Sequence, residues 1–201
     1  MTFKERIKKD FNLLAILLIP IAIAINFICG TLASALKLPL YLDSIGTFLV
    51  GMLAGPWVGL ITGVLSICIN AVSDPTLFPY SILAGCTGCL VGAFSRKGMF
   101  TSFIKMIIAA VVVALVSVFG TIAIKYIFFG GFGTSGVSIL AATLIASGQP
   151  FWVAQVIAQI IGELPDKIIS ILVPFFVIKG MSDRYLYKFS NGEVFIRARK
   201  K

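Results

Sequence analysis

Polar side chains recur at helical spacing inside an apolar run near the C-terminus. Gln155, Gln159, Glu163 and Asp166 follow one another every three or four residues, and Trp152 precedes them at the same spacing. This spacing places all five on one face of a helix. Ionisable residues inside an apolar span are costly and usually face a cavity or a partner. We therefore predict a face that binds a small solute, with the amides as fixed donors and acceptors and the indole as a stacking surface.

A purely structural explanation of this face stays open. Glu163 precedes Lys167 by four residues, which is the favourable order for an ion pair on a helix. Such a pair would neutralise the charges and hold helices together without binding any solute.

The composition indicates that this face belongs to a membrane protein. Of the 201 residues, 59% are hydrophobic and 12% are charged, and a soluble domain of this composition would expose large apolar patches. We predict an all-α integral membrane protein with six transmembrane helices, forming a single domain over residues 1–201. The predicted spans are 11–35, 43–54, 56–72, 79–94, 103–128 and 151–178, with a short loop at 36–42 and a longer outer loop at 130–150 that contains a short helix at 139–145.

The basic residues give this topology an orientation. With a cytoplasmic N-terminus (1–10) and a cytoplasmic basic tail (179–201), all but three of the 17 Lys and Arg residues lie inside, the exceptions being Lys37, Lys125 and Lys167. This is the positive-inside pattern of multi-pass membrane proteins. It explains the net charge of +9 without a nucleic-acid partner.

Two rows of glycines predict close helix packing. They are Gly51, Gly55, Gly59 and Gly63 in the second and third spans, and Gly88 and Gly92 in the fourth. In a membrane the association of helices depends on close packing, which small residues at four-residue spacing permit. Pro56 suits the first turn of a new helix, so we predict two helices joined by a tight turn and packed glycine face to glycine face.

The second span is too short to cross a membrane alone. Its 12 residues (43–54) cover roughly 18 Å of a hydrocarbon core roughly 30 Å thick. Residues 36–42 must cover the rest, and non-helical backbone at this depth is tolerated only when it is buried in protein or lines a cavity. Tyr41, Asp43 and Ser44 are therefore candidate solute contacts, with helix capping by Asp43 or Ser44 as the alternative.

Further candidate contacts come from other elements. Asn26, Asn70, Tyr80 and Gln149 lie in or next to predicted spans. An isolated Asn or Tyr in a span is more typical of an interhelical hydrogen bond or an interface anchor. The predicted outer loops and the outer half of the sixth span converge, however, and one outward-facing pocket would gather them.

Several kinds of chemistry are excluded by residue type. The chain has no histidine, which removes histidine-based triads and the HExxH zinc motif. No phosphate-binding P-loop and no cofactor fingerprint occurs. Cys86 and Cys89 have redox or metal spacing but lack a second pair. We predict that the protein is not an enzyme and uses no metal or cofactor, so uptake must couple to ions or to a partner's ATP hydrolysis.

Three stretches resemble the substrate-binding (S) components of energy-coupling factor (ECF) transporters. They are LDSIGTFLVGMLAGPWVGLITGVLS at 42–66, GTSGVSILAATLIASGQ at 133–149 and GELPDKIISILVPFF at 162–176. The resemblance implies a six-helix unit in a prokaryotic cell membrane that captures a vitamin or vitamin precursor from outside. Its implied partners are membrane lipid, a membrane-embedded coupling subunit and two ATPases, and it would topple in the membrane to release the ligand inside.

The resemblance also implies roles for particular segments. The loop at 36–42 would close over the ligand, which the outer parts of spans four to six would contact. The family's Ala-x-x-x-Ala docking pair in the first span is missing, and Pro20 with Ala24 is the nearest small pair.

Two other functions stay open beside vitamin capture. One is a self-contained, ion-coupled transporter that uses Glu163 or Asp166, and the other is a sensor or scaffold without transport. Acids, amides and a tryptophan favour a cationic or neutral ring compound as solute, such as a pyridine or pyrimidine.

Overall fold

The computed structural model describes residues 3–131, 133 and 135–200. In these residues the chain forms helices and turns and no strand. The helices are α1 (Phe3–Asp10), α2 (Leu13–Ala35), α3 (Ile45–Ala54), α4 (Pro56–Ser73), α5 (Tyr80–Arg96), α6 (Phe103–Phe129), α7 (Gly136–Ala146), α8 (Phe151–Gly180), α9 (Asp183–Leu186) and α10 (Gly192–Arg199). Short 3-10 turns precede α5 and α6, at Pro75–Leu77 and Met99–Thr101.

Three helices, α2, α4 and α6, are long and apolar enough to cross a membrane. The helices α3 and α7 are apolar but have only 10 and 11 residues. The longest helix, α8, has 30 residues, or about 45 Å at about 1.5 Å per residue, and carries three ionisable residues in its middle. The prediction of an all-helical protein with apolar helices suited to a membrane is confirmed.

The predicted apolar segments form helices whose ends lie within three residues of the predicted ones. The largest difference is at α7, which begins at Gly136 rather than at residue 139. Helices α1, α9 and α10 were not predicted, because they lie in polar terminal segments without an apolar run to mark them.

Glycines allow three helix backbones to meet in the middle of the bundle. Gly55 joins α3 to α4 with a φ of 112°, a conformation that glycine adopts without strain. A Cβ atom on Gly59 would lie 3.0 Å from the Cα of Gly51 and 2.5 Å from the carbonyl oxygen of Gly88 in α5. Gly63 and Gly92 meet neighbouring backbone just as closely, at Ala84 and Pro56. The structure thus brings the glycines of both rows into one junction of α3, α4 and α5.

One end of the bundle is fastened by the two terminal segments. Asp10, at the end of α1, forms an ion pair with Arg96 of α5 and accepts a hydrogen bond from the Ser190 hydroxyl (2.9 Å). Asn191 donates its backbone N–H to the carbonyl oxygen of Leu53 in α3 (3.0 Å). We call this the basic end. The opposite end, with residues 36–44, 74–79, 130–131 and 135–150, is called the loop end.

Candidate functional site

The polar face of α8 is buried against α6 near the loop end. Gln155, Gln159, Glu163, Asp166 and Lys167 are all buried. Two residues of α6, Thr121 and Lys125, are buried on its inner face one turn apart. Together these seven residues are called the polar cluster.

Lys167 is the charge that balances the acids of the cluster. Its Nζ lies 2.7 Å from Oδ2 of Asp166 and 3.2 Å from Oε2 of Glu163, so the predicted ion pair of Glu163 with Lys167 is confirmed. The other oxygen of Glu163 accepts a hydrogen bond from the Thr121 hydroxyl (2.9 Å). Removing one member of a buried ion pair leaves an uncompensated charge, so these residues depend on one another.

Asp166 also fastens the loop at 36–42 to α8. Its Oδ1 accepts hydrogen bonds from the backbone N–H groups of Tyr41 (3.0 Å) and Leu42 (2.7 Å). Leu42 has a φ of 51°, a left-handed conformation that costs a residue with a side chain about 1–2 kcal/mol. The two bonds to one carboxylate hold the loop in this conformation.

Asp43 and Ser44 lie next to the same charges. Asp43 interacts electrostatically with Lys167 and accepts a hydrogen bond from the Ser44 hydroxyl (2.9 Å). Ser44 occupies the N-cap position of α3, but its side chain makes no capping bond. The Ser44 hydroxyl therefore binds the Asp43 carboxylate and does not cap the helix.

The loop and α7 cover α8 together. The Tyr41 phenol lies close to Ser135, the N-cap residue of α7. A Cβ atom on Gly162 of α8 would lie 2.5 Å from Val137 in α7. This glycine lets the covering layer lie directly on the helix.

Two further bonds fasten α7 and Gly131, which precedes it. Lys125 donates a hydrogen bond to the Ser138 hydroxyl (2.9 Å) and interacts electrostatically with Glu163. The Gln155 side chain donates to the carbonyl oxygen of Gly131 (2.6 Å). Sequence reasoning did not select Thr121, Lys125, Ser135 or Ser138 as site residues. The four-residue spacing of Thr121 and Lys125 in an apolar run was the signal that could have found the first two.

Several buried polar atoms in this region have no hydrogen-bond partner among the described residues. Gln159 is 0% exposed, yet neither its Nε2 nor its Oε1 makes a hydrogen bond within that part of the chain. The same holds for Oε1 of Gln155 and for the hydroxyls of Ser117 in α6 and Ser170 in α8. Buried polar groups are nearly always paired, and each unpaired one costs about 1–3 kcal/mol. These atoms offer hydrogen bonds to a molecule from outside the chain.

Tyr80 joins the cluster from α5. Its ring stacks on Phe129 of α6, with 6.3 Å between the ring centroids, and its phenol interacts electrostatically with Glu163. Of the residues selected from the sequence, the structure therefore gathers Tyr41, Asp43, Ser44 and Tyr80 around the three selected residues of α8, which are Gln155, Gln159 and Glu163.

Asn26, Asn70 and Gln149 lie elsewhere. The Asn26 amide binds Thr47, Ser66 and the backbone N–H of Gly46 at 2.8, 2.9 and 2.7 Å, which joins α2 to α3 and α4. Asn70 is half-buried in the last turn of α4, and Gln149 is exposed between α7 and α8.

Trp152 lies outside the buried part of this face. Its side chain is 53% exposed, and its ring packs on Tyr126 of α6 with 5.1 Å between the ring centroids. Helical spacing sets the direction of a side chain but not whether another element covers it. Trp152 is the second residue of α8, at the end of the helix, whereas the residues from Gln155 onward are covered.

The unpaired amide atoms are able to hydrogen-bond to a small polar molecule, and they lie on the same helix as the charges of Glu163, Asp166 and Lys167. Comparison of the chain with protein-family models, with curated proteins and with solved structures gave no match. A function is therefore inferred from the residues of the polar cluster and their contacts.

Proposed function

We propose that the protein captures a small water-soluble solute, a vitamin or vitamin precursor, at the polar cluster. The observation that supports this most directly is Gln159, which is wholly buried without a hydrogen bond from the described residues. Leaving two amide atoms unpaired costs free energy. A solute that supplies one acceptor to Nε2 and one donor to Oε1 would recover that free energy on binding.

The charges around the site favour a neutral or cationic solute. Three carboxylates, those of Asp43, Glu163 and Asp166, face two ammonium groups, those of Lys125 and Lys167. An anionic solute would lie close to these three carboxyl groups at a buried place, where charge interactions are strong. A ring with both donor and acceptor atoms, such as a pyrimidine or a pyridine carboxamide, suits the amides of Gln155 and Gln159.

The proposed setting is the S component of an ECF transporter in a prokaryotic cell membrane, with six spans and both termini in the cytoplasm. Three apolar helices of membrane-spanning length and the basic residues near the termini support it. In this orientation the loop end faces outward, where solute arrives. The proposed partners are a coupling subunit and two ATPases, and Pro20 and Ala24 are exposed on α2, where a partner helix could approach closely.

The test is a binding screen of purified protein against water-soluble vitamins and their precursors, without ATP. Wild-type protein should bind one of them, raising its melting temperature. Gln159→Leu should abolish this rise, whereas the matched variant Gln149→Leu, at an exposed position, should keep it. A screen without any binder, or a binder that both variants retain equally, would contradict solute capture at this cluster.

A second candidate is an ion-coupled transporter that needs no ATPase. The buried Glu163, between Lys125 and Lys167, resembles the ionisable groups that relay protons in transporters. Vesicles that contain this chain alone should then take up solute along a proton gradient, and Glu163→Gln should stop the uptake. Solute binding without uptake by the chain alone would favour the S component.

A further inference from the structure

A cavity of about 490 Å³ lies at the basic end, far along α8 from the polar cluster. The first residues of α6, the last turns of α8 and one side of α10 form its walls. Its lining is mostly aromatic, with two cationic side chains, and consists of Phe100, Thr101, Phe103, Phe175, Phe176, Ile178, Lys179, Phe195, Ala198 and Arg199.

The aromatic part of the cavity opens on the flank of the bundle. Phe103 and Phe176 are both more than half exposed, and Phe175 packs edge-on against each of them, with centroid distances of 6.4 and 5.5 Å. Phe103 begins the apolar helix α6, so the cavity lies where an apolar helix ends. In a membrane this level is the boundary between acyl chains and headgroups.

The cationic part lies at the same boundary. Lys179, in the last turn of α8, has an exposed side chain without an ion-pair partner in the described part of the chain. Arg199 donates to the carbonyl oxygens of Ile178, Lys179 and Met181 at 2.8 Å each. It thereby fixes α10 against the end of α8 and keeps the cavity wall in place.

We propose that this cavity binds an anionic membrane phospholipid, with part of an acyl chain among the phenylalanines and the headgroup at Lys179. The juxtaposition of an aromatic pocket with an unpaired cation, at the end of an apolar helix, matches the two parts of such a lipid. Its volume lies in the range of small-molecule pockets, roughly 300–1,000 Å³. A partner helix, about 10–12 Å wide, would need a groove along several turns, whereas this cavity is confined to the ends of α6 and α8.

The test is native mass spectrometry of the purified protein with defined amounts of phosphatidylglycerol or phosphatidylcholine. Wild-type protein should retain phosphatidylglycerol more strongly than phosphatidylcholine. Lys179→Ala should weaken this binding about fivefold, the effect of one cation at an anionic lipid surface. The matched variant Lys97→Ala, at an exposed lysine of the basic end outside the cavity, should leave it unchanged.

A second variant, Ala198→Trp, fills the cavity and should remove the retention of both lipids. If it fails to fold, the comparison of Lys179→Ala with Lys97→Ala still decides, because both positions are exposed. Equal retention of the two lipids by wild-type protein, equal effects of the two lysine variants, or a co-purified protein seated on α10 in place of lipid would overturn the proposal. None of these results depends on solute binding at the polar cluster.

Discussion

Two wholly buried amide side chains, Asn26 and Gln159, differ in their hydrogen bonding. Asn26 uses both donors and its acceptor in bonds to three groups of α3 and α4. Gln159 makes no hydrogen bond to any described residue. Both are 0% exposed, and both had been selected from the sequence as solute contacts.

The difference separates a polar group that holds helices together from one that is available to a ligand. At the junction of α2, α3 and α4, the Asn26 amide is already satisfied and has nothing left to offer a solute. Between α6 and α8, the Gln159 amide has lost its hydrogen bonds to water without gaining hydrogen bonds to described residues in their place, and this costs free energy. Burial of a polar residue in a membrane helix therefore says little about function until its partners are counted.

The largest predicted effect is the loss of stability when Lys167, the cation closest to Glu163 and Asp166, is removed. Lys167→Met leaves the carboxylates of Glu163 and Asp166 without their close cation. We expect a loss of about 3–5 kcal/mol in unfolding free energy, the usual cost of breaking a buried ion pair. Unfolding in detergent measures it, with Lys105→Met, at an exposed lysine of α6, as the control. A Lys167→Met protein as stable as the control would mean that the cluster is not held by these ion pairs.

The second prediction concerns Asn26, the satisfied amide. Asn26→Leu leaves the buried N–H of Gly46 without its acceptor and the hydroxyls of Thr47 and Ser66 without the amide that donates to them. Each hydroxyl can still donate its own hydrogen to another group. The expected loss in unfolding free energy is about 1–3 kcal/mol, the cost of one unsatisfied buried group. The control is Asn70→Leu, at a half-buried position in the last turn of α4, where little should change. If the two variants lose the same amount, the Asn26 bonds are not what joins α2 to its neighbours.

The third prediction is a gain in unfolding free energy, whereas the first two are losses. Gln159→Leu removes two unpaired amide atoms and keeps a side chain of similar size, so solute-free protein should gain about 1 kcal/mol in unfolding free energy. Gln149→Leu, on the exposed connection, should stay within about 0.5 kcal/mol of wild type. A loss of stability in solute-free Gln159→Leu protein would show that Gln159 has a structural partner like Asn26, and the comparison between the two amides would fail.

Much of the helical framework was predictable because its signals are local. Apolar runs mark the long helices, and Gly55 with Pro56 marks the turn between α3 and α4, where a φ of 112° requires glycine. Helix α10 had no such signal, because its eight residues mix charged and apolar side chains. Its position depends on Arg199, which binds carbonyl oxygens at the end of α8.

The candidate site was predictable along α8 and, beyond it, at Tyr41, Asp43, Ser44 and Tyr80. Helical periodicity selected Gln155, Gln159 and Glu163, and the structure buries all three. Whether a buried amide is paired depends on residues distant in sequence, as with Asn26 and Ser66, and periodicity carries no information about these. The spacing of Thr121 and Lys125 marked a polar face on α6, but it carried no information about the partner of Lys125, Ser138, which lies on another helix.

The smallest predicted effect concerns Trp152, which periodicity placed with Gln159 and the structure places outside the covered face. Its exposed ring packs on Tyr126, so Trp152→Ala should cost about 0.5 kcal/mol, at the low end for an aromatic pair. Solute affinity, measured by titration, should stay at the wild-type value, as it should in the control Tyr126→Ala, which removes the other ring. A large loss of affinity in Trp152→Ala alone would show that the indole moves into the polar cluster when solute binds. The site would then extend to the first turn of α8, and the unpaired amides would not be its outer limit.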